Sequence, residues 1–359
     1  MHRFIETSPS HYNLLEPDTL LSLFRKFPPQ NFDCEIDSSG IPFFNTSFDV
    51  LTTLDAKSLR KLKALPFADR WSQKLRLSAC FIGTTLSEYA PLPSTLSPEQ
   101  LLVQIQSCHA QAPSLTIVKD LPCDSPLLSH EENSYAEALR SRAERLGFFS
   151  VEGQALAYMP INFNSCEEYL SRLSSGRRKD LRRKMKKKPL LDLQTLPLGH
   201  SRFGDQGFLD ELYGMYLEVF NQSEIHFDLL TPGFFTALLQ SGLPGVVFLY
   251  LHDGVLAGYN ICLIHGNMLI DKYIGFRYPL ARDLNLYFIS WLTNLEYALA
   301  EGLSTYIAGW TDPEVKAGLG ASFTFTRHLV WVRNPLLRRI LYPLRGFFEG
   351  DRQRLEARS

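Results

Sequence analysis

The stretch VVFLYLHDGVLAGYNICLIHGNMLIDKYI, residues 246–274, determines the predicted fold of this 359-residue chain. It contains three apolar segments, which are Val246–Leu251, Leu256–Ile264 and Met268–Ile274. They are separated by His252-Asp253-Gly254 and by His265-Gly266-Asn267, and glycine-containing connections this short close antiparallel hairpins. The stretch therefore predicts three strands in an antiparallel meander.

The residues after the meander predict a crossover to a parallel strand. Apolar residues recur at helical spacing over Leu284–Ala300, and the helix is expected to end at Gly302. A strand is predicted next at Ser304–Ala308, and parallel neighbours in a sheet need a crossover helix of this kind. We therefore expect Met268–Ile274 and Ser304–Ala308 to be adjacent, parallel and splayed.

The length of the chain exceeds the usual size of one hydrophobic core, so two domains are expected. Leu75–Ile161 runs through the same order of elements as Met268–Arg333, which suggests a duplicated unit. We predict an α/β fold with a mixed sheet. The predicted domains are a degenerate N-terminal copy over residues 1–155, a second domain over residues 156–335 and a basic C-terminal tail over residues 336–359.

Composition narrows the class of protein. With 45% hydrophobic and 21% charged residues, the chain is typical of a well-packed globular protein rather than a disordered or fibrous one. Charged residues interrupt the apolar segments well short of the ~20 residues that span a bilayer, so no membrane span is predicted. The N-terminal MHRFIE does not resemble a signal peptide, so a cytoplasmic location is expected. The cysteines are scattered singly, and no metal site is predicted.

The charge of the chain is unevenly distributed. The net charge is −1, yet Arg177–Lys188 holds nine Lys or Arg residues and one Asp. Ser165 and Glu168 have the spacing of a capping box, and the helix that they begin is expected to run through this basic segment to near Pro189. We predict an anionic partner here, with an acidic carrier protein, a coenzyme phosphate or a nucleic acid as candidates. The basic segment lacks interleaved aromatic residues, which argues against nucleic acid. A solvated helix face is the alternative.

Three residue patterns in the second half of the chain are similar to those of a known family. The first is EEYLSRL followed by RRKDLRR, residues 167–173 and 177–183. The second is Tyr250–Tyr259, in which a strand, an Asp-Gly turn and Ala-Gly follow each other, and the third is Gly309–Gly320 with Lys316 between the glycines. Together with the order of elements, these patterns resemble GNAT acyltransferases and, more narrowly, FemAB-like or BioF2-like acetyltransferase domains over residues 167–333.

The resemblance implies a tandem GNAT fold and an acyltransferase that takes its acyl group from a thioester donor, either acyl-CoA or an acyl carrier protein. In such folds the pantetheine lies between the splayed strands, and the pyrophosphate sits on backbone N–H groups at the start of the following helix. The corresponding loop here has no glycine. The residues assigned to the donor are Arg277, Arg282, Leu284 and Asn285. The two arginines supply charge in this interpretation, and surface ion pairs are the alternative.

Acyl transfer to an amine or hydroxyl needs a base and donors for the developing oxyanion. Asp271 and Tyr273 lie two residues apart in one strand, so both are expected on one face of the sheet. His328, in the last predicted strand, is expected to reach the same cleft. These three residues are the catalytic candidates. The alternatives are a buried Asp271–Lys272 ion pair and a structural histidine.

Two loops are assigned to acceptor recognition. The segment NQSEIHF, residues 221–227, contributes Glu224, His226 and Phe227 because polar and aromatic residues together on a loop suit recognition. Asp312 and Lys316 correspond to the position that lies near the acceptor in the family. The alternatives are simple loop packing for the first segment and helix N-capping by Asp312 for the second.

Two other functions stay open. FemAB-type aminoacyl transfer from charged tRNA in peptidoglycan synthesis uses the same fold, but those enzymes carry a long helical hairpin, and no sustained heptad pattern occurs here. A non-catalytic scaffold of GNAT fold that binds a polyanion through the basic segment is the other alternative.

Overall fold

The computed structural model of the protein describes residues 11–49, 76–109, 113–223 and 227–342. The chain forms two compact units: the first combines residues 1–155 with residues 324–359, and the second comprises residues 156–323. The predicted second domain extends to residue 335, whereas in the structure the segment from Thr324 onward belongs to the first unit. In the described part of the chain, no helix is both long and apolar enough to cross a membrane.

The described strands and helices have the following bounds. The strands are β1 (His11–Tyr12), β2 (Asp33–Ile36), β3 (Pro42–Asp49), β4 (Arg76–Ile82), β5 (Leu92–Pro93), β6 (Leu115–Cys123), β7 (Phe149–Pro160), β8 (Asp192–Pro197), β9 (Gly245–His252), β10 (Val255–His265), β11 (Met268–Phe276), β12 (Thr305–Gly309) and β13 (Ser322–Val332). The helices are α1 (Thr19–Lys26), α2 (Pro98–His109), α3 (His130–Arg145), α4 (Cys166–Arg172), α5 (Ser175–Met185), α6 (Gln206–Gln222), α7 (Pro232–Leu239), α8 (Leu280–Asp283), α9 (Leu286–Ala300), α10 (Pro313–Gly318) and α11 (Pro335–Leu341).

The first unit contains a meander followed by a crossover. Strands β2, β3 and β4 pair antiparallel in sequence order, and β4 then pairs in parallel with β6. Helix α2 makes the crossover, because parallel neighbours cannot be joined by a tight turn. Strand β13 pairs antiparallel with β6. Buried residues of the sheet and of α2 and α3 form the core of this unit, among them Ile82, Leu101, Ile105, Val118 and Leu139.

The second unit repeats this topology. Strands β8, β9, β10 and β11 pair antiparallel, β11 pairs in parallel with β12, and helix α9 connects these two strands. The C-terminal part of β7 pairs antiparallel with β12, just as β13 does with β6. The predicted meander and the parallel pairing across the crossover are confirmed. The shared pairing order also supports the predicted duplication, and in each unit the last strand comes from the other half of the chain.

The sheet of the second unit has a helical layer on each face. On one face, Trp291 of α9 packs edge-on against Tyr306 of β12, with the ring centroids 5.1 Å apart. On the other face, the hydroxyl of Tyr259 donates to the carbonyl of Leu212 in α6 at 3.0 Å, and its ring packs against Phe235 of α7. A side chain on this sheet therefore meets α9 or the α6–α7 layer according to its face.

The basic segment differs from its prediction. One helix is predicted from Ser165 to near Pro189, but the chain forms α4 and α5 with a break between them. The hydroxyl of Ser174 accepts from the backbone N–H of Arg177 and caps a new helix there. At the start of α4, Ser165 caps Glu168 as predicted, whereas the carboxylate of Glu168 accepts from the backbone N–H of Asn164 instead of completing the box.

Gly275 provides a test of the packing between β11 and the α6–α7 layer. A Cβ atom at this position would lie 2.2 Å from Cε1 of Tyr259, whose hydroxyl is already held by Leu212. We expect Gly275→Ala to lower the free energy of unfolding by about 1–3 kcal/mol, measured by urea denaturation. Gly214 in α6 is the matched control, since a Cβ there meets nothing within 4 Å and Gly214→Ala should stabilise the helix by about 0.5–1 kcal/mol. Equal unfolding midpoints for Gly275→Ala and the wild type would contradict this packing.

Candidate active site

Strand β11 separates from β12 at Asp271. Residue pairing between the two strands ends with Ile270 opposite Ile307, although β11 continues to Phe276 and β12 to Gly309. The predicted splay is therefore present, and it begins at Asp271.

A β-bulge in β11 changes the predicted arrangement of Asp271 and Tyr273. On the neighbouring strand β10, Ile261 lies opposite Tyr273 and Cys262 opposite Asp271, which leaves Lys272 as the extra residue. Tyr273 consequently faces the α6–α7 layer, where its ring meets Phe234 edge-on. Asp271 faces α9, so the prediction that the two side chains share one face is wrong.

The carboxylate of Asp271 is held by side chains of α9, β12 and β10. Oδ2 accepts from Nδ2 of Asn294 and from the hydroxyl of Tyr306, both at 2.9 Å, and Oδ1 is 3.5 Å from Nδ2 of Asn260. Nδ2 of Asn260 also donates to Oδ1 of Asn294 at 3.0 Å, and its Oδ1 accepts from Tyr250 at 2.8 Å. Asn260 and Asn294 are fully buried. This network fixes the orientation of the carboxylate, which is itself only partly buried.

The environment moves the pKa of Asp271 into the range of a general base. Burial raises the pKa of this carboxyl to about 6, and the hydrogen bond from Tyr306 and the positive charge of Lys316 oppose that rise. A base works best when its pKa lies close to the operating pH, because it is then ionised and still accepts a proton readily. The geometry and the pKa together make Asp271 the best candidate base in the second unit.

Lys316 and Tyr287 complete the polar groups near Asp271. Lys316 of α10 is only 4% exposed, and its Nζ donates to the carbonyl of Gly309 at 3.2 Å. The hydroxyl of Tyr287, on the first turn of α9, is buried and has no hydrogen-bond partner among the described residues. Burial, followed by the negative charges of Asp312 and Asp271, raises the pKa of Tyr287. Tyr287 is therefore a protonated donor close to both carboxylates.

Asp312 adopts a left-handed backbone conformation with φ of 53° and precedes α10 without a side-chain capping hydrogen bond. Its carbonyl instead accepts from the backbone N–H of Lys316 at 3.1 Å. Side-chain capping, the structural alternative for Asp312, is thus not observed. A role of Asp312 and Lys316 in binding the acceptor stays a prediction.

The arginines assigned to the donor are engaged within the protein. Arg277 forms an ion pair with Glu211 at 2.7 Å and donates through Nε to the carbonyl of Leu256. Arg282 donates to the side chain of Gln222, and its guanidinium lies 4.7 Å from the ring centre of Tyr278. These contacts agree with the alternative of surface pairing. They leave each arginine less free to bind a pyrophosphate.

The other residues assigned to the donor and acceptor have different environments. Leu284 is buried in the core, and Asn285 begins α9 in a left-handed conformation with φ of 58°. Phe227 is partly buried. Glu224 and His226 lie outside the described residues.

His328 belongs to the first unit, whereas Asp271 belongs to the second. Within the first unit, Nδ1 of His328 accepts from the backbone N–H of Asp120 at 3.1 Å and lies 3.8 Å from the carboxylate of that residue. Burial lowers the pKa of His328. These contacts connect His328 to Asp120 of β6 in the first unit. The catalytic role of His328 stays a prediction.

Sequence reasoning missed the side chains that hold Asp271. Asn260 interrupts an apolar strand, and Asn294 lies on the apolar stripe of a helix. Buried amides need partners, so two isolated asparagines in apolar segments were a usable signal. Tyr306 and Tyr287 gave no such signal, because tyrosine is common in strands and at the edges of cores.

A sequence profile described as FemAB-like, peptidoglycan biosynthesis/recognition, matches residues 97–357. The chain belongs to the FemAB-like family. Similar solved structures include L-PGS from Bacillus licheniformis, with a TM-score of 0.55, 8% identity and coverage of 94% of this chain and 98% of that chain. FemX has a TM-score of 0.53 and 11% identity, with coverage of 93% of this chain and 95% of that chain.

A third similar structure is the C-terminal domain of a putative lysylphosphatidylglycerol synthetase from Agrobacterium fabrum, with a TM-score of 0.53, 9% identity and 84% coverage of each chain. At these identities the likeness establishes the fold alone, which is α/β with a mixed sheet, as predicted. None of the curated proteins matches this FemAB-like chain. No group of three or more metal-binding side chains is positioned to hold an ion among the described residues.

The pKa of Asp271 leads to a prediction about pH. If Asp271 must be ionised to accept a proton, kcat/KM should fall as the pH drops through about 6, where the carboxyl becomes protonated. We expect an acid limb of unit slope with a midpoint near pH 6, measured by initial rates in buffers of constant ionic strength. A limb near pH 4, the ordinary range of an aspartate, would contradict the proposed environment.

Proposed function

We propose that this FemAB-like protein is an acyltransferase whose reaction takes place in the cleft between β11 and β12. The acyl group comes from an activated ester or thioester and passes to an amine or hydroxyl acceptor. The observation that carries the proposal is the position of Asp271 at the point where the two strands part. Its carboxylate is partly buried, has a raised pKa and accepts hydrogen bonds from the amide of Asn294 and the phenol of Tyr306. These hydrogen bonds orient the carboxylate, which remains partly exposed.

In the proposed reaction, the acceptor nitrogen or oxygen attacks the carbonyl carbon of the donor while Asp271 takes its proton. The new bond joins the acceptor to that carbon. The C–S or C–O bond of the donor then breaks, and the leaving group takes the proton from Asp271, so the carboxylate is restored. Negative charge on the carbonyl oxygen must be stabilised in the transition state, and Lys316 and the hydroxyl of Tyr287 are the nearby donors that suit this role.

Two classes of donor fit this chemistry. Acyl-CoA or an acyl carrier protein is the donor that a GNAT fold suggests. The engagement of Arg277 and Arg282 and the loop without glycine give little support for a bound pyrophosphate. An aminoacyl ester, as in aminoacyl-tRNA, is the second candidate. The FemAB-like family and the fold shared with a putative lysylphosphatidylglycerol synthetase, whose name indicates lysyl transfer to a lipid, favour it.

The donor is tested by measuring transfer of a radiolabelled acyl group. Acetyl-CoA, long-chain acyl-CoA, acyl carrier protein thioesters and a mixture of aminoacyl-tRNAs are each supplied with a pool of amine and hydroxyl acceptors. We expect one class of donor to lose its label to an acceptor with the wild type, and at least a hundredfold more slowly with Asp271→Asn. No transfer from any donor would support the non-catalytic scaffold instead, and equal protein-dependent transfer by both proteins would rule out Asp271 as the base.

A further inference from the structure

The second unit contains a cavity whose lining, among the described residues, does not include Asp271. It has a volume of about 550 Å³, within the range of roughly 300–1,000 Å³ that is typical of sites for small organic ligands. Its walls are largely apolar and come from α4, α5, α9 and the start of β8. They include Leu170, Met185, Leu191, Leu193, Ile289 and Leu292.

A basic segment adjoins the cavity. Lys188, Glu167 and Glu296 are its charged lining residues, and each of the two acids is paired, Glu296 with Lys188 and Glu167 with Arg182. Residues 177–188, which contribute Met185 and Lys188 to the lining, carry nine cations and one acid. A cavity with apolar walls beside a basic segment suits a ligand with an apolar chain and an anionic head.

Exposed leucines adjoin the cavity. Leu190 is 55% exposed and Leu193 is 38% exposed, and the latter also lines the cavity. They follow Lys186, Lys187 and Lys188 in the chain, so a cationic run and an apolar run, the latter interrupted by Asp192, are neighbours in the sequence. This combination is characteristic of proteins that dock on an anionic membrane, where the leucines enter the acyl region and the cations stay with the headgroups.

The cavity is poorly placed to receive the acyl donor. Asp271, Lys316 and Tyr306 are not among its described lining residues. Tyr250 forms the wall of the cavity on the side of the sheet, and its hydroxyl donates a hydrogen bond to Oδ1 of Asn260. A thioester or ester that entered here would therefore be kept from the candidate base by the ring of Tyr250.

We propose that this cavity and the basic surface of α5 bind an anionic membrane lipid, with one acyl chain in the cavity and the headgroup on the lysines and arginines. The site is separate from the acyl-transfer cleft. It docks the protein on a membrane surface.

Vesicle flotation of the full-length protein tests the docking. We expect the wild type to float with vesicles of equimolar phosphatidylglycerol and phosphatidylcholine, less so as salt is raised, and not with phosphatidylcholine alone. The triple variant Arg182→Gln, Lys186→Gln and Lys187→Gln should bind roughly 100-fold more weakly at low salt. Failure of the wild type to float with the anionic vesicles would overturn the proposal, as would binding of the triple variant equal to that of the wild type.

Leu190→Ser with Leu193→Ser should reduce vesicle binding at least tenfold, because these side chains enter the acyl region. Leu146→Ser is the matched control, since Leu146 is 48% exposed and lies outside the site. Equal binding of the double variant and the control would overturn the proposal. So would a protein that binds acyl carrier protein in solution but neither type of vesicle, because an acidic carrier would then be the partner of α5.

The cavity itself is tested with monomeric dodecyl phosphate in isothermal titration calorimetry. We expect saturable binding of dodecyl phosphate and at least tenfold weaker binding of inorganic phosphate. Leu193→Glu should weaken dodecyl phosphate binding at least tenfold, since it places a charge at the apolar mouth. Equal affinity for the two phosphates would show a headgroup site without an acyl-chain cavity and would overturn this part of the proposal.

Discussion

Replacing Asp271 with asparagine is expected to lower turnover by roughly 10²–10⁴-fold, the usual effect of losing a general base. Asparagine has nearly the same shape and can still accept from Asn294 and Tyr306, so the variant should fold. Turnover is measured with the donor that the transfer assay identifies. Asp253→Asn, in an exposed hairpin turn, is the control and should retain full activity.

The stability of Asp271→Asn separates catalysis from structure. The pKa of Asp271 is about 6 in the folded protein and lies above its ordinary value, so the folded state binds this proton more tightly than the unfolded state. The stabilisation that results is fully present below about pH 4 and is lost as the pH rises through 6. Above pH 6 the variant should therefore be as stable as the wild type or more stable, by at most on the order of 3 kcal/mol, and by less because the carboxyl is partly exposed.

The competing structural interpretation predicts the opposite result for the same variant. If Asp271 is one half of a buried ion pair, its loss should destabilise the fold by about 3–5 kcal/mol at neutral pH. A variant that unfolds readily but keeps its activity per folded molecule would assign Asp271 to the core. Thermal unfolding at pH 5 and pH 8, beside the turnover measurement, distinguishes the two outcomes.

Lys316→Met is expected to have the second largest effect. The charge of Lys316 lowers the pKa of Asp271, so its removal should move the acid limb of kcat/KM upward by about one pH unit. At pH 7 this shift alone should lower turnover about twofold, because about half of the carboxyl is then protonated, and the loss should reach roughly 10²–10³-fold if Lys316 also stabilises the oxyanion. Lys179→Met, at an exposed position of α5, is the control.

The pH profile of Lys316→Met is the decisive readout. A structural lysine would alter the unfolding midpoint but leave the midpoint of the acid limb where it is. A limb that stays near pH 6 in a folded variant would therefore contradict the electrostatic coupling between Lys316 and Asp271.

Much of the second unit was predictable from the sequence because its signals are local. The turns at Gly254 and Gly266 fix the meander, and the apolar periodicity of α9 fixes the crossover. Together they determine that β11 and β12 are parallel, and Asp271 follows as a residue at their point of separation. The pattern of Gly309–Gly320 with Lys316 between the glycines is also local, and it was sufficient to select Lys316 as a candidate. The electrostatic interaction of Lys316 with Asp271 depends on how α10 packs.

The rest depends on contacts that are distant in sequence. The bulge at Lys272 exists only in the pairing of β11 with β10, so strict alternation wrongly placed Asp271 and Tyr273 on one face. In each unit the last strand comes from the other half of the chain, and its pairing joins segments that are far apart in the sequence. This explains why His328 was assigned to the second domain. The asparagines that hold Asp271 come from two different elements, and no spacing rule relates them.

The most direct test of the proposed function is a crystal structure with a non-reactive analogue of the donor that the transfer assay identifies. We predict that the carbonyl group of the analogue lies between β11 and β12, with the acceptor position within about 3 Å of the Asp271 carboxylate. An analogue bound in the first unit, or in the second unit with its carbonyl group remote from Asp271, would contradict this prediction.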